Sequence, residues 1–134
     1  MNLFKIGCNF SDDLLKMVVK LNQLYPNNRI EEFYGSRRSS SWLTARPDYR
    51  LPDISKKQFV QFVDVSHANS IEFNYTLNAS CIGKKSDIAK EEDEAKQYIH
   101  FLVAAGVDTI TVSLPYVAKI IRDVSSKIKI EVST

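Results

Sequence analysis

The stretch KEEDEAKQYIHFLVAAGVDTITVSLP, Lys90 to Pro115, sets the reading of the whole chain. Its opening charges, Lys90 to Glu94, form a solvated first face. Ala95, Tyr98, Ile99, Leu102 and Val103 then recur at three- and four-residue spacing, the stripe of a helix buried on one side. Gly106 ends that helix, because glycine takes the left-handed backbone of a helix terminus without strain. The period then changes from 3.6 to 2 across Thr109 to Leu114, an apolar and β-branched strand, and Pro115 suits the first position of another helix.

Working outward, the same alternation repeats. Upstream, Ile71 to Leu77 reads as a strand. Before it, Ser55-Lys56-Lys57-Gln58 is a capping box opening a helix that carries Phe59, Phe62, Val63 and Ser66 on one face. Leu3 to Cys8 reads as a first strand. Ser11 caps a helix with Asp12 and Asp13 in its first turn and Leu14, Met17, Val18, Leu21 and Leu24 along one side. Pro26-Asn27-Asn28 stops it, Ile30 to Tyr34 forms a second strand closed by Gly35, and the pattern dissolves into a long loop at 36–53. Downstream, Val117, Ile120, Ile121 and Val124 mark a short helix, and Ile128 to Val132 a fifth strand. Strand, helix, strand repeated in this way predicts an α/β protein of parallel (β/α) units with right-handed crossovers. The turn after the first strand, Asn9-Phe10-Ser11-Asp12, lacks the glycine pattern of a dinucleotide fold, and no phosphate-binding glycine loop appears elsewhere. A (β/α) barrel remains. A closed one takes about 250 residues, so 134 residues with about five strands predict one domain, 1–134, forming a partial TIM-type barrel.

Composition agrees with a globular chain: 44% hydrophobic and 25% charged residues are unlike disordered, collagen-like or coiled-coil sequences. A formal net charge of +2 does not indicate a nucleic-acid partner or an acidic membrane. Two cysteines, Cys8 and Cys81, in no metal-ligand spacing, predict reduced thiols and neither a metal nor another cofactor. With no signal-like start and no apolar run of membrane-spanning length, the expected compartment is the cytoplasm.

Three segments carry a family resemblance: Ile71-Glu72-Phe73-Asn74-Tyr75-Thr76-Leu77-Asn78-Ala79-Ser80-Cys81, then Ala105-Gly106-Val107-Asp108-Thr109-Ile110-Thr111-Val112-Ser113-Leu114-Pro115, then Ile130-Glu131-Val132-Ser133-Thr134. In this order and spacing they resemble the collagenase-like peptidases of unassigned mechanism, family thirty-two, and Tyr34-Gly35 matches that family's Tyr-x-Gly strand end loosely. The resemblance spans nearly all of this chain and the first half of the family's barrel domain. It implies the amino-terminal half of a hydrolase acting on peptide or protein. Iron–sulfur subgroups of the family take part in hydroxylation, so a second alternative the resemblance implies is part of an iron–sulfur hydroxylation enzyme, but their cluster cysteines fall beyond Thr134, so Cys8 and Cys81 are not carried over as ligands.

Barrels of parallel strands keep their chemistry at the carboxyl ends of the strands. Asn9, Tyr34, Asn78, Ser113, Ser133 and Thr134 fall there, and the loop from Arg37 to Arg50 lies over the same mouth. Its arginines, Arg37, Arg38, Arg46 and Arg50, suit a carboxylate or phosphate, and Trp42 and Tyr49 offer flat faces. The alternative is a solvated loop anchored by Trp42. Asn78 either orients a substrate carbonyl or shapes the turn into Ala79-Ser80. Cys81, in a loop, is the better nucleophile candidate and Cys8 a core thiol, yet no histidine is placed to activate either. Ser113 is expected to cap the helix that follows it. His67, near a helix end, gains from the helix dipole, and neither it nor His100 has metal-ligand spacing. No carboxylate pair lies on the mouth side, as a glycosidase needs. The non-catalytic alternative is a half-barrel that self-associates or binds a complementary half, since an open parallel sheet leaves both edges unpaired.

Overall fold

The computed structural model describes residues 1–39, 43–80 and 88–133, with the backbone alone for residues 88 and 89. Its strands are β1 (Asn2–Gly7), β2 (Asn28–Gly35), β3 (Glu72–Leu77), β4 (Thr109–Val112) and β5 (Lys129–Val132). Between them run α1 (Asp12–Leu24), α2 (Lys56–Ala68), α3 (Ile88–Ala104) and α4 (Pro115–Val124). All neighbours pair in parallel, and the spatial order is the chain order, β1-β2-β3-β4-β5. A sheet wound in one direction by crossovers of one hand puts every helix on the same face. Accordingly the buried residues of all four helices join the outward rows of the strands in one core.

Strand ends follow the hydrogen-bond ladder more closely than apolar content. β2 begins at Asn28, before the apolar stretch, because Asn28 and Arg29 register with Asn2 and Leu3. β4 stops at Val112, short of Leu114, because Leu114 becomes the N-cap of α4 with Pro115 in its first turn. That corrects the expectation for Ser113: no side chain caps α4. The other two caps form as expected. Ser11 Oγ accepts from Leu14 N at 3.1 Å, and Ser55 and Gln58 complete a reciprocal box at 3.1 and 2.8 Å.

The core centres on aromatic rings where α2 crosses β3. Phe59 packs edge-on to Phe10, Phe73 and Tyr75 with centroids 5.7, 5.4 and 5.6 Å away. Tyr75 keeps its hydroxyl satisfied inside this apolar layer by bonding Tyr98 Oη of α3 at 2.7 Å. Gly106, at φ 91, closes α3 as expected, and a Cβ there would come within 3.3 Å of the His67 ring. His67 itself bonds Asp108 Oδ2 at 2.7 Å, and the same oxygen accepts from Phe73 N at 2.8 Å. This ties the end of α2 to the amino-terminal end of β3, the side opposite the mouth.

The inward rows of the strands are polar. Lys5, Glu32, Asn74, Thr111 and Glu131, one from each strand, form a connected network. Asn74 Nδ2 donates to Glu32 at 3.1 Å and to Glu131 at 3.0 Å, while its Oδ1 accepts from Thr111 at 2.8 Å. Lys5 Nζ meets Glu32 Oε1 at 3.2 Å and also Glu131. Lys5 and Glu131 stand on the two edge strands, which four spacings of about 4.8 Å would hold roughly 19 Å apart in a flat sheet. Their contact requires a strongly curled sheet, and the architecture is a partial (β/α) barrel of TIM type.

Two outcomes follow from this packing. Phe59→Ala should lower unfolding stability by about 3 kcal/mol or more in urea titration, through the cavity left among the rings of Phe10, Phe73, Tyr75 and Phe101. The Lys5 bond holds the Glu131 carboxyl below its ordinary 4.5, and the same bond holds the Lys5 ammonium above its ordinary 10.5. The Glu131 contribution is therefore full above 4.5 and lost as pH falls through its lower folded value, while that of Lys5 is full below 10.5 and lost as pH rises through its higher one. Glu131→Gln should lower the urea midpoint at about pH 7, and the difference from the parent should narrow as pH falls below 4.5. A difference independent of pH would rule out an ionic contribution.

Candidate active site

The mouth is built where β1, β2 and β3 end. Beyond β1, Cys8 N continues the ladder to Tyr34 O at 3.0 Å. Asn9 Oδ1 then accepts from Ser11 N at 3.1 Å, and Phe10 turns the chain at φ 62. A left-handed phenylalanine is strained, and burial of its ring against Phe59, Phe62 and Phe73 holds it there. Gly35 leaves room for this turn: a Cβ would lie 3.1 Å from the Cys8 carbonyl oxygen. Ser36 Oγ donates to Thr76 O at 2.5 Å, joining the exits of β2 and β3.

The segment 36–53 is more structured than its sequence suggests. Asp48–Arg50 forms a 3-10 turn. Arg37 donates through Nε and Nη2 to Ile54 O at 3.0 and 2.9 Å, and its own N–H donates to Tyr75 Oη at 3.1 Å. Arg38 donates to the carbonyls of Asp48 and Tyr49 at 3.0 and 3.2 Å and to the Asp53 carboxylate at 3.4 Å. These two arginines hold the loop by bonds to its carbonyls and to Asp53. Leu43, fully buried, anchors the segment, and Ala79 N donates to Leu43 O at 3.0 Å. Trp42, the anchor expected from sequence, lies outside the described residues. Asn78 Oδ1 accepts from Ala45 N at 3.3 Å, so the side chain reaches across to the loop and does not shape its own turn.

Loop and strand ends enclose a cavity of about 610 Å³. Asn9, Tyr34, Arg46, Arg50 and Asn78 all line it, together with Cys8. Ser113 and Ser133 do not; they sit at the exits of β4 and β5, where Ser133 N donates to Val112 O at 2.7 Å. Cys81 and Thr134 lie outside the described residues. Cys8 packs against the core as expected, and lies one residue beyond β1, partly buried, where it also reaches the cavity wall. Burial pushes its thiol up to about 12, against a weaker opposing bond from the Phe10 backbone, so it stays protonated and is a poor nucleophile.

Among the described residues, the two arginines are the only charged ones lining the cavity, and no histidine or carboxylate stands beside Cys8 there. The chamber can therefore bind and orient an anionic or polar ligand, but its described residues hold no nucleophile–base pair. Among the described residues no group of three or more His, Cys, Asp or Glu side chains is arranged to hold a metal, and no helix is long and apolar enough to cross a membrane. A larger hollow of about 1060 Å³ lies outside the barrel between α1 and α2, floored by Phe10, Leu15, Phe62 and Val65. It is remote from most of the strand carboxyl ends, where barrels concentrate reacting groups, so the smaller mouth cavity is the candidate site. The Glu32–Asn74–Glu131 network was not foreseen from the sequence. Its signal is polar residues at alternate positions of strands whose other rows are apolar.

A partial (β/α) barrel with a braced loop over its mouth is the class defined by this fold and site. Two solved structures share this fold with the chain. The chain is similar over 98% of its length to the U32 peptidase Mk0906, at a TM-score of 0.63 and 14% identity, covering 47% of that protein. It is also similar over 100% of its length to a GH113 β-1,4-mannanase, at a TM-score of 0.56 and 9% identity, covering 55% of that protein. The chain thus spans about half the length of each. No protein-family profile matches the sequence, and no curated protein does.

If Asn78 braces the loop, Asn78→Ala should speed tryptic cleavage after Arg50 several-fold while leaving far-UV circular dichroism unchanged. Equal cleavage rates would show that Leu43 and Arg38 suffice.

Proposed function

We propose that this chain is the amino-terminal, substrate-binding half of a peptidase-like (β/α) barrel that acts on a peptide or protein in the cytoplasm, with residues 1–134 forming one domain. The observation that carries this reading is the mouth cavity at the carboxyl ends of β1, β2 and β3, closed by a loop that Arg37, Arg38, Leu43 and Asn78 hold in place. Similarity to the U32 peptidase supports the choice of peptide as substrate class. A mannanase-like reaction fits less well, because the described residues of the cavity wall include no carboxylates to act as its acid and base. In the peptidase reading, the described residues bind and position, and bond cleavage falls to groups outside them.

Titration of the isotope-labelled chain with short unstructured peptides tests the reading. Amide shifts should move at Asn9, Tyr34, Thr76 and Asn78, and Tyr34→Ala should weaken binding several-fold. Shifts confined to α1 and α2, or absent, would overturn it.

The half-barrel that pairs with itself or with a complementary half is favoured by a separate observation. Leu3 and Phe4 on edge strand β1, and Val132 on edge strand β5, are 53%, 48% and 72% exposed. Apolar side chains on unpaired edges invite further strands.

A further inference from the structure

We propose that the mouth cavity is a carboxylate site, in which Arg46 and Arg50 bind a peptide through its free carboxyl terminus or an acidic side chain. This rests on the peptide-binding reading above and specifies its substrate.

The four loop arginines use their donors in two different ways. Arg37 and Arg38 direct theirs at the carbonyls of Ile54, Asp48 and Tyr49 and at the Asp53 carboxylate. Arg46 and Arg50 make no side-chain hydrogen bond or ion pair among the described residues. Arg50 only stacks on the Tyr49 ring at 5.8 Å. Both line the cavity, and no acidic residue among the described ones of its wall neutralises them. Two guanidinium groups with unused forked donors, facing a concave space, match a carboxylate in charge and in planar geometry.

The surroundings reinforce the match. The first pair of arginines, with Leu43 and Asn78, fixes the loop before any ligand arrives, so less ordering entropy is lost on binding. Cys8 is a neutral thiol and does not repel an anion. Tyr34 lines the same cavity as the two arginines. Phosphate is favoured less. The nearby α1 N-terminus carries its own Ser11 cap on Leu14 N and the acidic side chains of Asp12 and Asp13, whose charge disfavours a phosphate there.

Fluorescence anisotropy on the full chain distinguishes the possibilities. The probes are N-terminally labelled peptides in matched sets: free acid or amide at the C-terminus, Glu or Gln within. Removing the carboxylate should weaken binding about tenfold. The amide set reports a terminal carboxylate and the Gln set a side chain. The double variant Arg46→Gln, Arg50→Gln changes two exposed residues, and should bring the acid peptide to the affinity of its neutral partner while leaving neutral peptides unchanged. Equal binding of acid and neutral peptides to the parent, a preference that survives in the double variant, or displacement by inorganic phosphate far below the concentration of acetate needed would overturn the carboxylate site. Neutral peptides bound at the mouth without preference would leave the peptide reading standing. Arginine-dependent binding of acetate or citrate with no peptide binding would do the reverse.

Discussion

The contact of Lys5 with Glu131 governs the shape on which the rest depends. It joins the first strand to the last across the inside of the sheet, which a flat sheet forbids. Glu32, 4% exposed, and Asn74, 2% exposed, complete the bridge, so the carboxylate that loses most water has both a cation and an amide donor. A buried charge without such partners would be strongly destabilising. The inner face is thus held by polar bonds and the outer face by apolar packing, and the sheet curls between them.

That division explains where the chemistry lies. The helices all occupy the outer face, so they leave the strand exits open at one end, and the mouth is roofed by a loop and not by a helix. Within the loop the arginines divide the work. Arg37 and Arg38 replace the backbone partners that an irregular segment lacks, satisfying carbonyls that secondary structure would otherwise satisfy. Arg46 and Arg50 lie at the same mouth with their charge unspent. A strained Phe10 and a close approach at Gly35 fit the strand exits around this space.

Much of the fold was legible because its signals are local. The helical stripe from Ala95 to Val103, the Ser55 capping box and the glycine stop at Gly106 each rest on neighbours within a few residues, and they recur in the structure. The strand limits at Asn28 and Val112 were not legible, since they answer to partners far along the chain. The role of Ser113 was misjudged for a related reason: Pro115 fixes the first turn of α4 one residue later than a serine cap would need.

The site shows the same boundary. Sequence alone determined the alternation of strands and helices, the polarity of the loop, and which residues fall at strand ends, because these depend on residue type and spacing. Only the tertiary structure decided that Asn9, Tyr34, Asn78, Arg46 and Arg50 share one cavity while Ser113 and Ser133 stay apart from it. It also decided which arginines are bound and which are free, and that Lys5 meets Glu131. Those outcomes rest on the curl of the sheet and on hydrogen bonds between residues 10 to 126 positions apart, distances over which one-dimensional pattern carries no geometry.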